Sequence, residues 1–359
     1  MDPLILHHFA ASPFSEKLRL VLGYKRLAWK SVLVPAVMPK PDIVALTGGY
    51  RRTPVLQIGA DIYCDTALIC DVLERLQPAP SLYPEPLGAL SRVVGQWADS
   101  SLFWAAVRHN RGPMGSGLSV GDTAQQARAL FEDRKAMGLD LEWPRPADAT
   151  APYGNYLQQL SGMLGSRKFL LGDLPTLADF CAFHPLWLAQ LRAAPALNLL
   201  ALWPALRGWL VRMQEIGHGQ MSDCDAAQAL EMARRATPVA IGSRLLPDGG
   251  FQNHHGIALG SRVHICAESF GTEPSAGFLV AASASHYSLR HENPRAGAVH
   301  VHFPRVGYVL RHAADGAATT TPVPDSLNEP ERNLMEKHHK RPGAFASAAV
   351  PWPANRTTS

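Results

Sequence analysis

The first 77 residues change hydrophobic period several times. Leu4–Phe9 is a short apolar run of strand length. Phe14, Leu18, Val21 and Leu22 then recur at helical spacing. Ser12-Pro13 before them reads as a helix start, because serine is a favoured N-cap and proline suits the first helical position. Trp29–Val34 carries the β-branched residues of a second strand, and Pro39–Leu46 makes a short helical or irregular connection. Val55–Ile58 and Ile62–Cys64 flank Gly59-Ala60-Asp61, a hairpin pattern. Asp65 or Thr66 caps a helix bearing Leu68, Ile69, Val72, Leu73 and Leu76. The predicted order is β-α-β-α-β-β-α, that of a compact α/β unit with helices flanking a mixed sheet.

A Pro-rich stretch at 78–86 reads as a linker. Beyond it the pattern is helical over 87–109, 122–137, 152–165, 176–192, 203–216 and 223–235, so 87–236 is expected to be all-α. Pro238 marks a further change. From there to residue 312, Gly-rich turns separate β-type runs at Gly256–Leu259, Arg262–Ala267, Gly277–Ala281, Tyr287–Arg290 and Ala298–Phe303. Alternation is plain in Val299-His300-Val301-His302-Phe303, which puts both histidines on one exposed polar face of a small antiparallel sheet or barrel. Residues 313–359 are Ala, Thr, Pro and polar residues with little periodicity, as in a disordered tail.

Composition narrows the class. With 47% hydrophobic and 18% charged residues, the chain has material for the cores of two or three domains. The net charge of +4 is scattered, with no run of the kind that binds nucleic acid or an anionic membrane. The start lacks a basic leader and a long apolar stretch, and the apolar runs near 180–191 and 197–206 are too short to span a bilayer. Cys64, Cys70, Cys181, Cys224 and Cys266 are odd in number and form no C-x-x-C pair. That argues against a disulfide framework and a structural zinc site, and a cytoplasmic location is expected.

Three segments could carry chemistry. A helix start presents unpaired N–H groups and a partial positive charge, which favour a thiolate or carboxylate. Ser12 sits there, with Ser15 as its rival one turn on. A hydroxyl donated to a ligand sulfur would lower a thiol pKa from about 8.5 and raise the reactive fraction. Arg52-Thr53-Pro54-Val55 leads into a strand, where a cis proline would leave the neighbouring backbone open to an extended peptide. Asp65-Thr66 at another helix start could hold an amino-acid head group, its ammonium against Asp65. Taken singly, each segment is equally an ordinary cap or loop end.

Together they resemble a known family. The run from Ala11 to Arg19 looks like the active-site turn and first helix of soluble glutathione transferases. The run from Gly48 to Leu56 looks like that family's cis-proline loop, and Asp65-Thr66-Ala67-Leu68-Ile69 resembles its acidic-plus-hydroxyl pair. Further on, the run from Leu170 to Asp179 is similar to the family's G-x-x-x-T-x-A-D segment, read as a capping box in which Thr176 caps a helix and Asp179 reaches back. The resemblance implies a thioredoxin-like glutathione-binding domain over 1–77 and a helical transferase domain over 87–236. A small β-rich domain over 238–312 and the tail would follow. It implies that Ser12 activates the glutathione thiolate, that Val55 pairs with the cysteinyl backbone beside Pro54, that Asp65 and Thr66 hold the γ-glutamyl head, and that Arg52 meets the glycyl carboxylate. The implied activity is conjugation of glutathione to a small electrophile, as in detoxification, by a homodimer without metal. The alternatives are a non-catalytic binding module and a glutathione-dependent isomerase or dehalogenase.

Two departures matter. Position 12 is serine where thiol-transferase members carry cysteine, so a mixed disulfide there is excluded. Asp65 replaces the commoner glutamate and is one methylene shorter. Trp97, Phe103, Trp104 and Trp187 are candidates for an acceptor pocket, with Arg108 and His109 nearby. The pairs His7-His8, His254-His255 and His300/His302 lack the further ligands of a metal site.

Overall fold

The computed structural model describes residues 2–109, 124–138, 146–192, 199–243, 245–247 and 250–313. The tail and the start of the 122–137 helix therefore lie, wholly or in large part, outside the described residues.

The predicted α/β order appears as β1 (Leu4–His8), α1 (Pro13–Tyr24), β2 (Ala28–Leu33), α2 (Pro41–Thr47), β3 (Val55–Ile58), β4 (Asp61–Cys64) and α3 (Thr66–Leu76). Alternation along these strands sorts side chains between two layers. Leu4, Leu6, Leu56 and Ile58 face one core with α1 and α3, while Ile5 and Val55 face the other side. The helical region follows as α4 (Gly88–Trp97), α5 (Phe103–His109), α6 (Ala124–Ala136), α7 (Pro146–Leu164), α8 (Leu177–Arg192), α9 (Pro204–Glu215) and α10 (Ala226–Arg235). A π-helical turn, Ala98–Leu102, interrupts the helix expected over 87–109.

One strand in this region had no sequence signal. β5 (Gln220–Asp223) pairs parallel with β2, from Ala28↔Gln220 to Ser31↔Asp223. All four of its residues are exposed, so no apolar alternation marks it. The free edge of β2 selects it.

The C-terminal strands are β6 (Arg262–Ala267), β7 (Ser275–Ala282), β8 (His286–Asn293), β9 (Gly297–Pro304) and β10 (Tyr308–His312). Gly256–Leu259 is not a strand, whereas β10 is one that the periodicity left out. The run is antiparallel, as expected. It does not stand apart: β9 lies parallel to β4, with Asp61↔His300, Ile62↔Val301 and Tyr63↔His302 in register. One ten-stranded sheet results, in the order β10-β6-β7-β8-β9-β4-β3-β1-β2-β5. A single core joins Leu46, Val55 and Ile62 to Leu230 of α10 and to Val299, Val301 and Phe303.

This corrects the expectation of exposed histidines on β9. His300 and His302 are 0% and 3% exposed, because β9 is an interior strand with both faces covered. His302 Nε2 pairs with Asp61 Oδ1 at 3.0 Å, its Nδ1 with Ser288 Oγ at 2.7 Å, and its ring stacks on Tyr63. No group of residues suited to a metal ion occurs among the described residues. No described helix is long and apolar enough to cross a membrane. The described cysteines are all free.

Candidate functional site

Strand register brings the three candidate segments to one end of the sheet. His7 lies opposite Val55, and Val55 lies opposite Cys64. The end of β1, the start of β3 and the end of β4 are therefore level, and Ser12, Thr53-Pro54 and Asp65-Thr66 all emerge there.

Ser12 is the N-cap of α1, with Pro13 next, as the sequence predicts. Its Oγ accepts from Ser15 N at 3.2 Å, which leaves its own proton without an acceptor among the described residues. It is 2% exposed. The Ser15 hydroxyl is buried one turn into the helix and has no hydrogen-bond partner among the described residues. Only Ser12 stands at the helix end, where the macrodipole and the free amides act.

The Thr53-Pro54 bond is cis. Val55, however, lies inside β3 with a strand on each side, so its backbone faces sheet partners. Thr53 lies outside the strand and makes no backbone hydrogen bond among the described residues.

Asp65 caps α3 at φ +74, an uncommon conformation for a residue with a Cβ, and its Oδ1 accepts from Ala67 N at 2.9 Å. Its Oδ2 accepts from the Tyr308 hydroxyl at 3.1 Å. Thr66 is buried, and its Oγ1 accepts from Lys17 Nζ at 3.0 Å. Arg52 is half-buried, with its guanidinium 5.9 Å from the centre of the Phe270 ring. Burial works against its charge, but Tyr50, Tyr308 and Asp65 outweigh that and raise its pKa.

Lys17 is the residue that sequence reasoning missed. It lies in the apolar stripe of α1, three residues after Phe14, and a charged residue on such a stripe is the signal that could have found it. It is fully buried and pairs with Asp99 of the π turn at 2.6 Å. Asp99 also accepts from His184 Nε2 at 2.8 Å. Burial opposes both charges, yet Asp99 raises the Lys17 pKa and Lys17 lowers that of Asp99. The pair ties the thioredoxin-like sheet to the helical region beside Thr66. Phe14 packs on Phe103 and His184, with ring centroids 4.8 and 4.5 Å away.

The aromatic candidates divide. Trp104 lines a cavity of about 470 Å³ between α5 and α7, together with Ser100, Ser101, Arg108, Pro152 and Tyr156. Trp97 packs on Tyr156, Trp187 lies against the main core, and His109 stacks on Tyr153. Of the remaining histidine pairs, His7 bonds Gln57 and His8 bonds Ser31 and Arg19, whereas His254 and His255 are exposed, the latter edge-on to Tyr287.

The capping box is half present. Thr176 N donates to Asp179 Oδ2 at 2.9 Å, as expected, but the Thr176 hydroxyl donates to that same carboxylate instead of capping an amide. Asp179 also accepts from Leu170 N at 2.8 Å and Trp209 Nε1 at 2.9 Å.

The comparisons with known proteins agree with this architecture. Residues 6–81 match the glutathione S-transferase N-terminal domain, and residues 139–212 match the glutathione S-transferase C-terminal domain. A GST-like protein from Pseudomonas syringae is 38% identical, with 86% of this chain and 99% of that chain covered and a TM-score of 0.67. Residues 1–237 are about two thirds of the chain, so that match takes in strands after Pro238. A glutathione S-transferase from Rhodospirillum rubrum is 22% identical over 59% of this chain and 87% of its own, with a TM-score of 0.44. One from Methylobacillus flagellatus, solved with glutathione bound, is 20% identical over 59% and 95%, also with a TM-score of 0.44. No curated protein matches the chain. On its two matched domains and its 38% identity to a structure that it covers almost end to end, this chain belongs to the glutathione S-transferase family.

Proposed function

We propose that the protein binds reduced glutathione and adds its thiolate to a small electrophile. The observation that carries this reading is the meeting of Ser12, the backbone of Thr53 and the Asp65-Thr66 pair at one end of the sheet. Ser12 donates its free proton to the sulfur, and the α1 N-terminus favours the negative charge. Thr53 takes the backbone contact first expected of Val55, since its N–H and C=O are not used by the sheet. Asp65 faces the ammonium of the γ-glutamyl head. Thr66, at the start of α3 beside the Lys17 ammonium, receives the carboxylate. Arg52, first expected at the glycyl carboxylate, stands beside Asp65 and Tyr308 and so at the γ-glutamyl end. The nucleophile belongs to the cosubstrate, and the protein activates it by lowering its pKa. The cavity beside Trp104 and Tyr156, which Ser100, Ser101, Arg108 and Asp148 also line, suits an aromatic acceptor that carries polar groups.

Calorimetric titration with glutathione, followed by product analysis on an electrophile panel, tests this. Wild type should bind. Asp65→Ala should weaken binding about tenfold or more, through loss of a charge-assisted contact. Ser12→Ala should bind within a fewfold of wild type but raise the pKa of the bound thiol by about one unit and slow conjugation about tenfold. No binding at millimolar glutathione would refute the proposal.

A further inference from the structure

The strands after Pro238 reach back to the ligand end of the thioredoxin-like sheet in several places. Gly48 and Gly49 adopt φ +72 and +140, and a Cβ on Gly49 would lie 2.1 Å from the Pro274 carbonyl oxygen. That close approach lets β7 grip the loop that carries Pro54. Ala276 N donates to Gly48 O at 3.1 Å, and Tyr50 N donates to Ser275 Oγ at 3.0 Å. Arg51 pairs with Glu273 at 2.6 Å and with Asp133 of α6. Phe270 lies against Arg52, and Gly271 N donates to Met137 O at 2.8 Å.

The most specific of these contacts comes from β10. Tyr308 is 4% exposed and packs against Tyr50 and Phe303, with ring centroids 6.3 and 5.5 Å away. A phenol held so has little freedom to turn. Its hydroxyl lies 3.1 Å from the Tyr50 hydroxyl and donates to Asp65 Oδ2 at 3.1 Å. The other Asp65 oxygen is held by Ala67 N. Both carboxylate oxygens are thus pinned, and each keeps lone-pair capacity for a further donor. A carboxylate already fixed loses little rotamer freedom when a cation arrives, which strengthens binding.

We propose that Tyr308 is a positioning residue of the ligand site: its hydroxyl holds the Asp65 carboxylate in the orientation that receives the ammonium of a γ-glutamyl head group. The C-terminal sheet is then a working wall of the site, not an appendage to it. This inference rests on the glutathione reading above and adds a residue to it.

The test compares two ligands on the full-length chain. One is reduced glutathione. The other is glutaryl-cysteinylglycine, which lacks only the α-ammonium. Tyr308→Phe keeps the ring and removes the hydroxyl. It should raise the Kd for glutathione about tenfold and leave the Kd for the analogue unchanged. In an Asp65→Asn background the same change should cost nothing further. An unchanged glutathione Kd overturns the inference, and so does an equal loss for both ligands, which would make Tyr308 a packing residue. Should Tyr308→Phe fold poorly, Tyr50→Phe removes the neighbouring hydroxyl and leaves β10 intact. A smaller loss confined to glutathione is then expected, and no loss overturns the inference. A wild type that ignores millimolar glutathione overturns both readings in the first titration. Normal wild-type binding matched by Tyr308→Phe overturns this one alone.

Discussion

Single side chains here carry more than local propensity assigns them. Asp179 looks in sequence like a helix-start residue worth about one hydrogen bond. In the fold it is fully buried and accepts from Leu170 N, both donors of Thr176 and the Trp209 indole, so it joins α8 to α9 and to the preceding loop. Burial pushes its carboxyl pKa up, and those donors pull against the rise. Asp179→Ala should therefore cost on the order of 3–5 kcal/mol, several buried donors being stranded at about 1–3 kcal/mol each. Urea unfolding of the variant checks this, and a loss below about 1 kcal/mol would reduce Asp179 to a simple cap. Lys17 makes the same point in an apolar stripe. Periodicity scores it as an error in the pattern, whereas Asp99 and Thr66 make it the joint between two parts of the chain.

Among elements, the pairing of β4 with β9 has the widest consequences. A hairpin such as β3–β4 leaves an open edge, and open edges are covered or blunted in stable proteins. Here β9 covers it, and Asp61 locks the seam. Asp61 is buried, and it accepts from His302 Nε2 at 3.0 Å and from Val239 N at 2.8 Å. It thereby holds both the new strand and the connection leading to it. Asp61→Ala leaves those two groups unpaired and should cost about 2–4 kcal/mol. Limited proteolysis should then cut the connection near 239–246 faster than in wild type. Equal cleavage rates would show that the apolar seam alone holds the sheet together.

For the whole molecule, the distribution of buried histidines sets an acid limit. Burial, the largest cause in each case, lowers His7 and His8 to about 4 and His286 to about 3, from an ordinary value of 6.5. All three are neutral in the folded state at neutral pH. As pH falls below about 6.5, the unfolded chain takes up protons that the folded chain refuses, and stability drops until the folded pKa is reached. At about 1.4 kcal/mol per unit, one histidine held near 4 represents on the order of 3 kcal/mol between pH 6.5 and 4. That is a large part of an ordinary domain's stability. The thermal midpoint should fall steadily between pH 6.5 and 4, most steeply near the middle of that range, at about pH 5. A flat profile would mean that these rings accept protons without leaving their places. These histidines belong to both halves of the ten-stranded sheet, His7 and His8 to β1 and His286 to β8, so both should loosen in the same pH range.

The sequence by itself determined what short-range physics controls. Ser12-Pro13 and Asp65-Thr66 start their helices because caps and proline act within a few residues of themselves. The short apolar runs of β1 and β3, the alternation of β9 and the helical spacing of α1 and α3 are local as well, so the order of the first seven elements and the three candidate segments were legible. Partners far apart in the chain were not. Nothing in Gln220–Asp223 says that it pairs with β2, nothing in Ile62 that Val301 lies beside it, and nothing in Tyr308 that it meets Asp65. A strand's partner depends on which edges the rest of the fold leaves open, and a buried polar group's partner on which surface closes over it. Tertiary structure made those choices, and with them it turned exposed-looking histidines into core residues and placed the C-terminal sheet against the candidate site.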